Sequence, residues 1–404
     1  MEWFQGKNVV VGITGGISAY KSCELVRSLV RDGAEVRCVM TANAERFITP
    51  LTLQTLSGNK VASNFFDLTS ESEIGHIKIA DEGDVVVVAP ASASFIGKIA
   101  SGIADSLLAT VILATRAPVI ICPAMNSNMY SNSIVQENME KLRRHGFTIV
   151  EPEEGDLACG WTGRGRLAET DAIALEVQKA IAPQDYAGEN ILVSAGATRE
   201  HIDPVRFISN PSTGKMGYSI ARAAWLRGAR VTLVSGHSSL PDPHGVKVVR
   251  ITDCDEMYER IHECFELANI VIKSAAVSDY SPREKSEQKI KKSKKQLSIP
   301  LKKTRDILKS LGENKKDRIL VGFAAETENI VENSQKKLKE KNLDLIVAND
   351  VTAPQAGFGE DTNIAWLVDR GKVEELQLMS KFELANRILD RIKDIERNRL
   401  DLAV

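Results

Sequence analysis

Three isolated side chains in the first half of the chain carry reactive chemistry. His76 in "IGHIKIA" supplies an imidazole, the side-chain type most used to move protons in catalysis. Asn126 in "PAMNSNMY" supplies a hydrogen-bonding amide directly after an apolar run, and Cys159 in "GDLACGWTGRGRL" supplies a thiol in a Gly-rich loop with no strand pattern. Taken singly, each has a plain explanation: a packed or solvent-facing imidazole, a helix cap, a buried thiol. Their joint occurrence with glycine and hydroxyl loops points to a site. In "GITGGISAYKS", Gly15 and Gly16 let the backbone approach a ligand, and Ser18 is expected to cap the following helix, whose N-terminal amides suit a phosphate. Thr41 in "VMTAN" and Ser92 and Ser94 in "APASASF" follow further apolar runs. Short hydroxyl side chains converging on one crevice suit a polar, phosphorylated cofactor.

The second half carries "FISNPSTGKMG", Phe207 to Gly217, which looks like a phosphate loop and fits neither common template. The Walker pattern needs Gly where Ser209 stands and Ser or Thr where Met216 stands, and Gly-x-Gly-x-x-Gly is absent. The stretch reads instead as a long strand-to-helix loop, with a helix starting near Lys215. Ser212, Thr213, Gly214 and the amides there would form an anion nest. "SAAVSDY" is expected to end a strand at Asp279, and "QKIKKSKK" (288–295) is a dense basic run. Such a run is ordinarily a solvated face, and nucleic acid is a second reading. No aromatics interleave these lysines and the domain carries ample acid, so a lysine flap closing over phosphates fits better.

These residues need a frame that places them together. The chain opens the same way twice, with "NVVVGITGG" from Asn8 and "NILVSAGAT" from Asn190. After each opening, short β-branched runs alternate with amphipathic segments: "EVRCVM", "DVVVVAP", "PVIICPA" and "FTIV", then "RVTLVSG", "KVVRI", "NIVIKSA", "ILVGFAA" and "LDLIVAND". Continuous apolar strands between helices imply parallel sheets covered on both faces. The expected fold is therefore α/β, with two doubly wound, mostly parallel-sheet domains. "AIAPQDYAGEN" is a polar stretch that places the boundary, giving domains 1–186 and 187–404. In such sheets, ligands sit beyond the carboxyl ends of the strands.

Composition sets outer limits. The 404 residues suggest two domains, and 43% apolar and 26% charged residues with a net charge of −2 give no overall pull toward nucleic acid or membrane. MEWFQGKN lacks the basic start and apolar stretch of a signal peptide, and Leu107 to Met125, broken by Arg116 and Pro118, reads as a buried helix followed by a buried strand. Six scattered cysteines without a Cys-x-x-Cys pair are expected to be buried, reduced thiols of a cytoplasmic protein, Cys159 apart.

Over roughly the first 180 residues, GGISAYK, GHIKIA, PASASFIGKIASGIADSLL, PAMNSNMY and ACGWTGRGRL resemble, in order and spacing, the homo-oligomeric flavin-containing cysteine decarboxylases. The resemblance implies a flavodoxin-like domain that binds FMN through Gly15, Gly16, Ser18, Thr41, Ser92, Ser94 and Ala124. It implies oxidative decarboxylation of a C-terminal cysteine, with phosphopantothenoylcysteine as the coenzyme A pathway substrate. Loss of CO₂ needs an electron sink, which oxidation of the thiol to a thioaldehyde provides. His76 is then a base or proton relay, and Asn126 a donor that grips the carboxylate without adding a charge that would retain CO₂. Cys159 is the matching proton donor when the enethiol is reduced, carried on a mobile clamp.

From residue 190 to about 396, the AGATREHIDPVRFISNPSTGKMG stretch and KIKK resemble phosphopantothenate–cysteine ligase, a Rossmann-like domain. The resemblance implies activation of 4′-phosphopantothenate by CTP to an acyl-cytidylate, from which the cysteine amine displaces CMP. Asn210 would face the carboxylate, with Arg206 positioning nearby and Ser212, Thr213 and Gly214 in the phosphate loop. Lys289 would clamp the triphosphate. Ala275, Asp279, Thr304, Asp306, Ile307, Phe323, Lys337 and Lys341 would surround the nucleotide, with Asp279 beside a phosphate-bridging Mg²⁺. "KKTRDIL" departs from the family pattern by carrying Arg305 where Pro is usual. The two resemblances together imply trimeric contacts for the flavin half and dimeric contacts for the ligase half. The rival readings are a non-catalytic flavoprotein regulatory subunit, a nucleic-acid-binding protein and an NAD-dependent oxidoreductase. The last is disfavoured because no acidic residue follows the first glycine loop at the usual spacing.

Overall fold

The computed structural model describes residues 3–63, 75–156, 160–291, 297–326, 328–350, 355, 357 and 359–401. Cys159 and most of the lysine run, 292–296, lie outside them. The chain forms two compact units, Met1–Ala182 and Pro183–Val404. The expected boundary at 186/187 falls just inside the second, where Tyr186 is fully buried and its hydroxyl donates to the Leu389 carbonyl at 2.6 Å.

In the first unit, β1 (Asn8–Ile13), β2 (Glu35–Met40), β3 (Val85–Ala91), β4 (Val119–Pro123) and β5 (Thr148–Ile149) form one parallel sheet in the order β2-β1-β3-β4-β5. Alternation along the strands explains why both faces are covered. Val9, Val11 and Ile13 pack with the helices Lys21–Arg31 and Thr170–Ile181. Val10, Val86 and Val88 face the other way, toward Ala93–Ala100, Leu107–Ala114 and Ser133–Arg144. The apolar stretch from Leu107 thus resolves into a helix and a buried strand, as its composition suggested. The Gly-rich segment with no strand pattern folds as an antiparallel hairpin, β6 (Glu153–Asp156) and β7 (Thr162–Arg166).

The second unit has an eight-stranded sheet. Its strands are β8 (Asn190–Ala195), β11 (Arg230–Ser235), β12 (Lys247–Arg250), β13 (Ile270–Lys273), β16 (Ile319–Glu326), β17 (Leu345–Asp350), β18 (Thr362–Asp369) and β19 (Val373–Ser380). The order is β12-β11-β8-β13-β16-β17-β18-β19, parallel through β17 and then antiparallel. The six parallel strands run 3-2-1-4-5-6 in their own sequence order, the dinucleotide-fold arrangement, whereas the first unit has the flavodoxin order. Two small hairpins extend the loops beyond the strand ends: β9 (Arg199–His201) with β10 (Phe207–Ser209), and β14 (Tyr280–Pro282) with β15 (Leu301–Lys303). β13 ends at Lys273, not at Asp279. The chain beyond it leaves the sheet to exchange backbone bonds with the segment after β8, Ala276 with Gly196 (3.2 Å) and Thr198 with Ala276 (3.3 Å).

Candidate active sites

In the first unit the site residues gather where strand order reverses, between β1 and β3. The buried Thr14 hydroxyl donates to the Pro90 carbonyl (2.8 Å) and accepts from the Ser92 amide (2.9 Å), tying the two strand ends together. Thr41 donates its amide to Ile13 (3.0 Å), and Ala124 donates its amide to Ala91 (3.1 Å). Gly15, Gly16, Thr41, Ser92 and Ala124 therefore share one rim. Ser92 also caps Ala93–Ala100 by accepting from Phe95 N (3.4 Å), and Ser94 is exposed on its first turn.

Ser18 does not cap the first helix. It lies inside a 3-10 turn, Ile17–Tyr20, that precedes Lys21–Arg31, and neither element has a side-chain cap. The early amides of that turn thus have no side-chain acceptor, as an anion site requires. A Cβ at Gly16 would meet nothing within 4 Å, so the rim is open to a ligand at that point.

Asn126 does act as a cap: its Oδ1 accepts from Asn128 N at 2.9 Å, which fixes the side chain at the end of β4. The glycines of β7 are explained here. The Met125 amide donates to the Gly165 carbonyl (2.9 Å), and a Cβ on Gly165 would lie 2.2 Å from Met125 O. Only glycine lets the hairpin lie flat on the Asn126 turn. The Thr162 hydroxyl donates to Asp156 Oδ1 (2.8 Å), tying the end of β6 to the start of β7. His76 is half-buried on the first turn of Gly75–Glu82. A helix leading into a parallel strand runs antiparallel to it, so this turn lies on the carboxyl-end side of the sheet. Of the other thiols, Cys38, Cys122 and Cys254 are buried, and burial pushes Cys38 up to about 12. Cys23 and Cys264 are only partly covered, contrary to expectation, because they lie at the margins of their helices' packed faces.

In the second unit the loop 210–214 and the helix start that follows it sit over the β8/β13 reversal. Gly214 adopts φ 83° and begins Lys215–Leu226, which therefore starts at the expected residue. Ser212 Oγ accepts from Gly214 N (3.4 Å), and Ser238 Oγ donates to Thr213 O (2.9 Å). A Cβ on Gly217 would stand 2.5 Å from Ala195 Cβ and 2.8 Å from Ser194 O, so the final glycine of "GKMG" sets how closely helix meets strand.

Two clefts open from this point and share Ala275 and Phe323. One is lined by Ser212, Thr213 and Gly214 together with Asn349, Asn363 and Lys381. The other, about 470 Å³, is lined by Ala275, Asp279, Thr304, Asp306, Ile307, Phe323 and Lys341, with Lys273 and Arg305. Thr304 Oγ1 donates to Ser278 O (2.7 Å), and Asp306 caps Ile307–Glu313 while pairing with Lys341 at 2.8 Å. Burial raises the Asp306 pKa, but Lys341 and the Lys309 amide outweigh it and hold the carboxyl below its usual range. Arg305 is drawn to the neighbouring helix, 3.2 Å from Asp255 and over the Tyr258 ring. Arg206, Asn210, Lys289 and Lys337 line neither cleft.

Arg206 is held in a clasp with Asp203 and Ile290. Its guanidinium is held by Asp203 (3.0 and 2.6 Å) and donates to the Ile290 carbonyl (2.6 Å), while the Ile290 amide donates back to Asp203 (3.2 Å). Burial works to raise the Asp203 pKa, yet the amides of Val205, Ile290 and Arg206 and the guanidinium together hold it well below the carboxylate range. This clasp anchors the exposed segment that carries Lys289.

Four cleft residues escaped the sequence reading. Asn349 and Asn363 leave buried Oδ1 atoms without a partner. Lys381 donates to the carbonyls of Gly357 and Thr362 (both 3.3 Å), and Lys273 closes β13. Only Asn349, directly after an apolar run, had a positional signal; the others stand inside or beside strands that read as structural. Among the described residues, no group of three or more His, Cys, Asp or Glu could hold a metal ion, and no helix is long and apolar enough to cross a membrane.

Comparison with known proteins covers both units. A flavoprotein family model matches residues 3–182, and the model of the DNA/pantothenate metabolism flavoprotein C-terminal domain matches 186–395. The coenzyme A biosynthesis bifunctional protein CoaBC of Bacillus subtilis (strain 168) is 47% identical over 96% of this chain and 96% of its own. The protein of the same name from Escherichia coli (strain K12) is 44% identical over 96% and 97%. A crystal structure of the C-terminal domain of such a protein covers 52% of this chain and 97% of its own, at 42% identity and a TM-score of 0.46. With likeness at this level over nearly the whole length, the chain belongs to the family of coenzyme A biosynthesis bifunctional proteins.

Proposed function

We propose that the chain carries out two consecutive steps of coenzyme A synthesis: CTP-dependent joining of cysteine to 4′-phosphopantothenate, and FMN-dependent decarboxylation of the 4′-phosphopantothenoylcysteine so formed. The observation that carries this reading is the presence of two switch-point sites of different strand order in one chain, one with a phosphate-type rim and one with paired clefts that share Ala275 and Phe323.

In the first unit, the open rim at Gly16 and the uncapped turn Ile17–Tyr20 fit the phosphate of FMN, with Gly15, Ser18, Thr41, Ser92, Ser94 and Ala124 around the cofactor. Bound flavin supplies the two-electron oxidation of the cysteine thiol and its later reversal. The protein's part is to move protons and hold the carboxylate. His76 takes and returns a proton at the reacting carbon–sulfur unit, and Asn126, already fixed through Oδ1, offers its amide NH₂ to the carboxylate. Cys159 delivers the last proton.

In the second unit, Ser212, Thr213 and Gly214 receive the phosphate of phosphopantothenate, and Asn210 donates to its carboxylate and then to the acyl-cytidylate oxygen. The second cleft takes CTP. Were Mg²⁺ bound with the nucleotide, Asp279, which lines this cleft, would be the protein carboxylate that holds it, and the ion would offset phosphate charge. Lys289 offsets charge on the departing pyrophosphate, and Arg206 acts one step removed, through the Asp203 clasp. Self-association in the cytoplasm, trimeric through the flavin half and dimeric through the ligase half, completes the reading.

The test is division of labour. A fragment ending near Ala182 should be yellow and release CO₂ from phosphopantothenoylcysteine, while one starting at Pro183 should be colourless and ligate. A second fragment that needs flavin to ligate would refute the assignment.

A further inference from the structure

Three lysines among the described residues are buried, and two are fully engaged. Lys315 pairs with Asp344 at 2.6 Å, and Lys381 donates to a set of loop carbonyls. Lys273 is the exception. It is 8% exposed, yet no hydrogen bond or ion pair among the described residues holds its ammonium, which borders the cleft beside Ala275, Asp306 and Phe323. Asp306 and Cys254 favour its charge without a hydrogen bond to it, and because the residue is otherwise covered, the cleft is the side from which an acceptor can complete it.

We infer that Lys273 is a specificity-determining donor to the base of the nucleotide, pairing with the O2 carbonyl of the pyrimidine. This rests on the reading of the second cleft as the CTP site. The cleft has two chemically different ends. Its mouth carries exposed cations, Lys303 and Arg305, with Lys289 on the adjoining segment, and suits a multiply charged triphosphate. Its floor is walled by Ala275, the fully covered Ile307 and the Phe323 ring, and suits a flat, weakly polar base. Lys273 is the one buried cation on that floor. A single ammonium against a base carbonyl gives a charge-assisted bond that the apolar walls cannot provide. Burial lowers its pKa to about 8, so it remains mainly protonated at neutral pH.

The test uses the full chain and three ligands, cytidine, CMP and CTP, measured by calorimetry with Mg²⁺ present. Lys273→Met should weaken all three by one common factor, on the order of 10- to 100-fold, since the lost contact lies on the shared base. Lys273→Gln, which keeps a donor, should recover part of the loss. The decarboxylation rate of the same preparations should be unchanged, and the ligand-free Met variant should melt no lower than the parent. Loss confined to CTP would place Lys273 on the phosphates and overturn the proposal, as would unaltered cytidine binding by Lys273→Met. If the unsubstituted protein binds none of the three, the CTP reading itself falls, and this proposal falls with it.

Discussion

Gly217→Ala is a one-methyl change whose consequences follow from the packing of the second unit. The added Cβ would lie 2.5 Å from Ala195 Cβ and 2.8 Å from both Ser194 O and Ser274 Oγ. Carbon atoms in contact sit about 3.5–4.0 Å apart, so relief requires roughly 1 Å of separation. The atoms in the way belong to β8 and to the turn after β13, and neither is the tip of a long flexible side chain. The start of Lys215–Leu226 must therefore lift from the sheet, carrying the Ser212–Gly214 nest with it. Overpacking of this kind costs about 1–3 kcal/mol, and each kcal/mol lowers the melting point of a domain this size by roughly 2–4 °C. A displacement near 1 Å in a positioning loop lowers turnover about 10²-fold. Pyrophosphate release from CTP and 4′-phosphopantothenate should fall by that order, while decarboxylation of added phosphopantothenoylcysteine by the same sample stays at the parent rate. Parental ligase turnover with an unshifted melting curve would show that the Gly217 contact does not position the loop.

Other outcomes are equally specific. His76→Asn should retain flavin and lose CO₂ release; a colourless variant would make His76 structural. Cys159→Ser should lose CO₂ but stall at the enethiol, because a hydroxyl is too weak an acid for the final proton transfer; mass analysis of the product decides this. Lys289→Gln should cost at least 10²-fold, on the order of 3 kcal/mol, in acyl-cytidylate formation, whereas Asn210→Asp should accumulate the acyl-cytidylate even with cysteine present. Quenched reactions that look alike for both variants would refute the separate roles. The Asp203 clasp has a defined pH sign. Its folded pKa lies below the unfolded value of about 3.9, so its stabilisation is present above that pH and lost only as acid passes the folded value. Asp203→Asn should therefore flatten the acid side of the stability profile of the second unit and speed tryptic cutting after Lys289 at neutral pH.

The sheets were legible because their strands are buried on both faces and read as unbroken β-branched runs; β2 begins and ends where "EVRCVM" does, and β11 begins with "RVTLVSG" and stops one residue before its glycine. The antiparallel additions were not. β19, "VEELQLMS", is an edge strand with charged residues on its open side, and β7, "TGRGR", has no apolar alternation because its glycines serve contact with the Asn126 turn. Site glycines and hydroxyls were legible from their position after strands. Ser18 misled because the chain interposes a 3-10 turn before the helix. The Arg206 clasp was not legible, because its partners are Asp203, close by, and Ile290, far along the chain.

The most direct test of the central claim is one reaction followed by mass. The protein as purified is mixed with 4′-phosphopantothenate, cysteine, CTP and Mg²⁺, and every product is identified. The account predicts 4′-phosphopantetheine together with CMP, pyrophosphate and CO₂, and no conversion when CTP is left out. Recovery of unchanged 4′-phosphopantothenate from the complete mixture, by a protein that retains its flavin, would contradict it.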